Sequence, residues 1–424
     1  MRWDYPDPSD VAEAKQRDAV TAAMDRWWQV FVANKDNLDA AFSAPRTGGG
    51  ASANFDIAQF TSTNLNPITE GLCWEYGRAM RKDGHRLVIT PEGDHHLAPL
   101  VRELLRRAPE LPDWEFYPGR LPEPPEMAFA VAEQIARFKA AADVKVRASL
   151  GKFRRVDLQF HIANAKGNEQ SAQHWMFRAV EQMLGEDILN HWLGVIELAP
   201  PQPLVKRLFG GRPAGVVAPE RLKPTVDALI AASREQLPDP PPRVIAQRDA
   251  NDARLSWYTI KGEPDAGLAD YPQRDDIFVL ATCEVELAEA QANDPLFHSP
   301  RFSRSGETFA YLKLDRSADA HGSAPIDSAD ARGAIEDAVN ATLAEHGLGC
   351  TTGGGTGVMY AYVDVALTDV SRAILILRQL LQRHRVNQRS WLLFFEPELA
   401  DEWVGIYPQT PPPPARAKEE DDQT

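Results

Sequence analysis

The chain has 424 residues, too many for one ordinary core, which predicts at least two domains. Hydrophobic residues make up 43% and charged residues 25%, the mix of a globular chain rather than a disordered one. Lys plus Arg number 46 against 61 Asp plus Glu, and the resulting charge of −15 opposes sequence-independent binding to nucleic acid or an anionic membrane.

No apolar run approaches the roughly 20 residues that span a bilayer, and "MRWDYPDPSD" lacks the apolar core of a signal peptide. Cys73, Cys283 and Cys350 are isolated, without metal-ligand spacing, and their odd number argues against a disulfide framework. The expectation is a cytoplasmic protein with no cofactor and no metal.

Residues 9–42 read as one long helix, with Val20, Met24, Trp27 and Phe31 on one face and Trp28 packed at its corner. "LCWEYGRAM" and "HRLVITPEG" read as a hairpin joined through "RKDGH". "HLAPLVRELLRRAP" is an amphipathic helix, and "WEFYPG" a short strand. In "EGDHHLAPL", Asp94 reads as a helix cap and His95 and His96 as exposed first-turn residues. Adjacent histidines on a helix point about 100° apart, so they make poor joint ligands.

"MAFAVAEQIARFKA" is helical, "DVKVRASL" and "FRRVDLQFHIA" are strands, "EQSAQHWMFRAVEQMLG" is a helix, and "WLGVIELAP" a buried strand. Proline then dominates residues 200–244, which read as a connector holding one helix, "PERLKPTVDALIAASREQ". Beyond it "RLSWYTIK", "DDIFVLATCEVEL" and "TFAYLKLDR" are strands. A helix follows, capped by Asp327 or Ser328 and stopped at Gly347, then strands about the glycines, a helix from Asp369, and the strand "WLLFFEPEL". The last residues, 409–424, have no apolar periodicity and read as a disordered tail.

Residues 127–198 and 329–396 share one order: helix, strand, strand, helix, strand. The expectation is an α+β protein of two related domains, 1–199 and 245–408, each an antiparallel-rich sheet with helices on one face. That order is similar to the ferredoxin-like fold and suggests internal duplication.

Gly353-Gly354-Gly355-Thr356-Gly357 resembles the short glycine signature of the tubulin-like cell-division GTPases, which would imply a nucleotide contact. The residues after it alternate, Met359, Ala361, Val363 and Val365 against Tyr360, Tyr362 and Asp364, so a strand follows rather than a helix. The favoured reading makes these glycines a hairpin turn with positive φ.

Two strands carry a row of groups able to hydrogen-bond or titrate: Asp157, Gln159 and His161 in one half, Tyr360, Tyr362 and Asp364 in the other. These six are the candidate binding residues. No catalytic elbow, carboxylate pair or reactive-cysteine signature accompanies them. Arg383, Arg385 and Arg389 read as charges at a helix C-terminus. A non-catalytic protein that binds a protein partner on its open sheet faces or in the cleft between halves is the favoured expectation, with a small-molecule ligand as the variant of it. A small-molecule hydrolase or transferase with its site in the cleft between the halves, using His161 as base or acid and a carboxylate to orient it, is the alternative.

Overall fold

The computed structural model describes residues 1–43, 55–199, 215–237, 258–264, 268–282, 284–319 and 322–415 of an α+β protein built round three sheets. The first unit contains α1 (Val11–Ala33), α2 (Lys35–Ser43), α3 (Ile57–Leu65), β1 (Cys73–Arg78), β2 (His85–Thr90), α4 (Ala98–Arg106) and β3 (Trp114–Tyr117). The helix expected over 9–42 breaks at Asn34, where φ is −109° and ψ is 10°. Asp10 caps α1 by accepting from Glu13 N. Met24, Trp27 and Phe31 of its apolar stripe are buried as expected, Val20 is half-buried, and Trp28 Nε1 donates to Leu104 O at 2.8 Å. The hairpin β1–β2 is extended by β3, parallel to β2.

The second unit comprises α5 (Pro125–Ala136), β4 (Lys145–Leu150), β5 (Val156–His161), α6 (Glu169–Leu184), α7 (Glu186–Trp192), β6 (Leu193–Leu198), β7 (Val216–Val217) and α8 (Leu222–Glu235). Its sheet order is β6-β5-β4-β7. Val146, Leu158, Phe160, Ala132, Trp175 and Val226 meet in one core, so α5, α6 and α8 cover one face of the sheet. The helix expected in the proline-rich connector is α8, and it packs into this core. β6 was expected to be buried. Instead it alternates, and Val195 is 58% exposed, because only the helix side of this edge strand is covered.

The third unit holds β8 (Tyr258–Lys261), β9 (Ile277–Thr282), α9 (Val285–Asn293), β10 (Thr308–Asp315), α10 (Ala329–Glu345), β11 (Gly349–Gly357), β12 (Tyr360–Leu367), α11 (Val370–Arg383), β13 (Ser390–Phe394) and β14 (Trp403–Gly405). Its seven strands run β14-β13-β10-β12-β11-β9-β8, each antiparallel to its neighbours. Helices α10 and α11 cover one face through Ile335, Val339, Ala373 and Leu377 against Leu312, Val363 and Leu392. Ser328 caps α10, Asp369 caps α11, and Gly347 follows α10 with φ +64°.

Two expectations are corrected here. The run from Glu284 to Leu287 is not strand: Glu284 precedes α9, which begins at Val285, and Cys283 lies outside the described residues. The glycines are not the turn either. β11 runs through Gly353–Gly357, and the chain reverses at Val358 and Met359. Close packing requires these glycines: a Cβ on Gly354 would stand 2.7 Å from Tyr362 O, and one on Gly353 would stand 2.7 Å from Ala281 O.

The β4–β5 turn joins the second unit to the third. Phe153 and Arg154 both take left-handed φ, +56° and +58°, uncommon for residues with a Cβ. This turn packs Phe153 against the cluster of Leu287, Phe297, Phe302 and Phe309. Arg301, fully buried, donates to Phe153 O at 3.1 Å, and Arg154 pairs with Glu286 at 3.0 Å. The N-terminus is tied to the C-terminal strand, since Glu402 accepts from the backbone N–H groups of Trp3, Asp4 and Tyr5.

Candidate functional site

The alternation of β5 sends Val156, Leu158 and Phe160 into the core and Asp157, Gln159 and His161 to the opposite face. Asp157 Oδ1 accepts from Val195 N at 2.8 Å. Gly151 and Gly194 make room for this carboxylate, since a Cβ on either would collide with it. Gln159 Nε2 donates to Glu197 Oε1 at 2.9 Å. Partial burial, with Lys145 and Arg147 nearby, lowers the His161 pKa. Arg147, Ser149, Val195 and Glu197 surround the row and are exposed. This side of the four-stranded sheet therefore faces solvent.

The second row has a different fate. Tyr360, Tyr362 and Asp364 share the face of β12 turned away from α10 and α11, but the segment 270–276 lies over it. Both tyrosines are fully buried and Asp364 is 2% exposed. Tyr360 OH donates to Asp270 Oδ1 at 2.6 Å, and Tyr362 OH donates to Asp276. The same Asp276 accepts from Met359 N at 2.8 Å and Tyr360 N at 2.9 Å. Burial pushes both phenols well above their ordinary range, and the two aspartates add to it. Arg274 Nη2 lies 3.2 Å from each oxygen of Asp364, and its guanidinium sits 5.5 Å from the centre of the Tyr362 ring. Burial raises the Asp364 pKa while Arg274 opposes the rise.

Lys313, fully buried on β10, donates to Tyr271 O with its ammonium 4.1 Å from the centre of the Tyr360 ring. Burial lowers its pKa to about 8, against the pull of Asp276 and Asp270. Arg389 is not merely a helix-end charge. It lies beyond α11, pairs with Asp270 at 2.6 Å and Asp315 at 3.3 Å, and donates to Tyr360 OH at 2.6 Å. The row is thus the hydrogen-bonded interior of the third unit. No hydrogen bond or ion pair joins it to Asp157, Gln159 or His161 among the described residues.

A third group of polar residues assembles where the three units meet. His191 of α7 bonds Asp187 at 3.0 Å through Nδ1 and Glu398 at 2.9 Å through Nε2. Its ring stacks on His298, with centroids 4.2 Å apart and planes 14° from parallel. Arg102 of α4 reaches Glu398 at 2.7 Å. Burial alone would lower the His191 pKa, but its two carboxylate bonds outweigh that and raise it to about 9. Glu398, despite burial, is held down at about 2 by His191 and Arg102. His298 is pushed down to about 3 by burial and by His191 and Arg301. Glu396, which accepts from Ser299 N at 3.1 Å, is raised by burial to about 7.

His95 and Asn190 complete this cleft, whose volume of about 10 Å³ suits a single water. His95 is half-buried there, in a 3₁₀ turn, rather than exposed, and Asp94 makes no capping hydrogen bond. Both nitrogens of His191 are engaged, which makes it a clamp between units rather than a free acid or base. Among the described residues no group of three His, Cys, Asp or Glu side chains is arranged to hold a metal. No helix there is long and apolar enough to cross a membrane. No protein family matches the chain, and neither curated proteins nor solved structures give a match.

Proposed function

We propose that this is a non-catalytic binding or regulatory protein of the cytosol, which holds a protein partner on the open face of its four-stranded sheet. The observation that carries the reading is the exposure of that face: Arg147, Ser149, Val195 and Glu197 surround Asp157, Gln159 and His161. Hydrogen-bonding groups there stand in register on three adjacent strands. The exposed Val195 adds apolar contact among them.

The architecture supports a scaffold of this kind. In the third unit β10, α10, β11, β12, α11 and β13 follow the ferredoxin-like order, with strands lying β13-β10-β12-β11. In the second unit the run α5, β4, β5, α6, α7, β6 is similar in order, with one extra helix and without the first strand; β3 lies in the other sheet. We read the pair as diverged copies of one unit. The alternative, a hydrolase or transferase with His161 and Asp364 in one cleft, has less support. The two residues belong to different sheets, and Asp364 is buried against Arg274.

A photo-cross-linking residue at Val195 in the full chain tests the reading in cells of the native host. The expected result is one dominant adduct to a protein, a second copy of this chain included. The control position, Phe177 on α6, is 45% exposed on the helical side and is expected to give none. No adduct from Val195, or equal adducts from both positions, would overturn the reading.

A further inference from the structure

Across the open face of the four-stranded sheet, charge changes sign from one side to the other. Lys145 and Arg147 stand on β4, Gln159 on β5 and Glu197 on β6. The register sets Arg147, Gln159 and Glu197 side by side in one row, with Val216 of β7 beyond Arg147. A row that is positive on one side, uncharged at Gln159 and negative on the other is complementary to itself under two-fold rotation.

We infer that this face pairs with the same face of a second copy, about a two-fold axis that runs along β5 between the two sheets. The inference rests on the reading of this face as the binding surface. Rotation about that axis lays β4 of each copy over β6 of the other, so Arg147 meets the second copy's Glu197 twice. Gln159 then faces Gln159, and amide groups donate and accept in both directions. His161 faces His161, and the lowering of its pKa by partial burial favours the uncharged ring there. Asp157 is half-buried, turned in toward Val195 N and the two glycines.

Facing sheets pack about 10 Å apart, a gap that an arginine and a glutamate span from opposite sides. Three strands of six residues and one of two, about 4.8 Å apart and about 3.3 Å per residue, give roughly 300 Å² of projected area per copy. A standard interface uses about 800 Å² per partner, so the dimer is a weak and reversible one. At physiological salt the Debye length of about 8 Å screens most of the repulsion between two chains of charge −15, but less of a pair in contact.

Sedimentation equilibrium of the full chain, from micromolar to sub-millimolar concentration, tests this. The expected result is a monomer–dimer equilibrium that Arg147→Glu and Glu197→Arg each weaken about tenfold, by setting like charges opposite. The double variant Arg147→Glu/Glu197→Arg restores the opposite pairing and is expected within roughly threefold of wild type. Both positions are exposed, so melting curves of the singles should match wild type and exclude misfolding as the cause. A wild type that stays monomeric, a dimer the single changes leave intact, or a double variant no tighter than the singles would each overturn the inference. A monomeric wild type that still cross-links to a different protein from Val195 removes the second copy and leaves the binding reading standing. Absence of both dimer and adduct removes both.

Discussion

The four-stranded and seven-stranded sheets each turn one face to helices, yet their other faces differ in kind. On the first, Asp157, Gln159 and His161 stand among exposed neighbours. On the second, Tyr360, Tyr362 and Asp364 lie under Asp270, Tyr271, Arg274 and Asp276. Both rows come from a strand with alternate apolar residues, and both carry groups that hydrogen-bond. What separates them is segment 270–276, which folds across one sheet and has no counterpart over the other among the described residues. A covered polar row must satisfy its groups internally, whereas an open one satisfies them with water until a partner arrives.

The largest expected difference between the rows is in stability. Arg274→Ala leaves Asp364 buried and unpaired, and such losses cost about 3–5 kcal/mol. Urea denaturation should show that fall, with a loss under about 1 kcal/mol contradicting the buried pairing. His191→Gln probes the junction and should cost less. The folded pKa of His191, about 9, exceeds its ordinary 6.5. Its stabilisation is therefore fully present below pH 6.5 and is lost as the pH rises through about 9. The gap between wild type and Gln variant should be about 2–3 kcal/mol at pH 6 and should close by about pH 10. A gap independent of pH would mean that His191 is not a charged clamp. Smallest of all, Gln159→Ala on the open face should change stability by less than about 0.5 kcal/mol. A larger loss would place that residue under cover.

Much of the fold was legible from periodicity. The stripe Met24, Trp27, Phe31 and the alternation of β5 name their buried sides correctly, because helices and strands repeat at different periods; the alternation of β12 names the side under the helices, but its other side is buried as well. The glycine half of strand β11, Gly353–Gly357, was not legible. Glycines have no side chains to alternate, and the reason they are glycines is close packing between neighbouring strands. The stretch after Thr282 alternates in its letters, yet Val285, Leu287 and Ala288 serve a helix equally well, and tertiary packing chose it.

Of the candidate residues, alternation told which face each side chain takes but not what lies over that face. Nothing local to β12 announces Arg274 or Asp276, eighty residues or more earlier in the chain. The cluster at the junction was hidden for the same reason. His95, His191, His298 and Glu398 come from four separate segments, so no spacing links them. Only the helix spacing of Asp187 and His191, four apart, was available as a hint.

The direct test of the contrast between the two faces is thiol reactivity, read peptide by peptide in full-length variants. The thiol introduced by Gln159→Cys should react with a maleimide at nearly the rate of the unfolded chain and slow when the partner binds. That introduced by Tyr362→Cys should react only through unfolding, orders of magnitude more slowly. Equal protection of both thiols in the folded protein would contradict an open binding face on the four-stranded sheet.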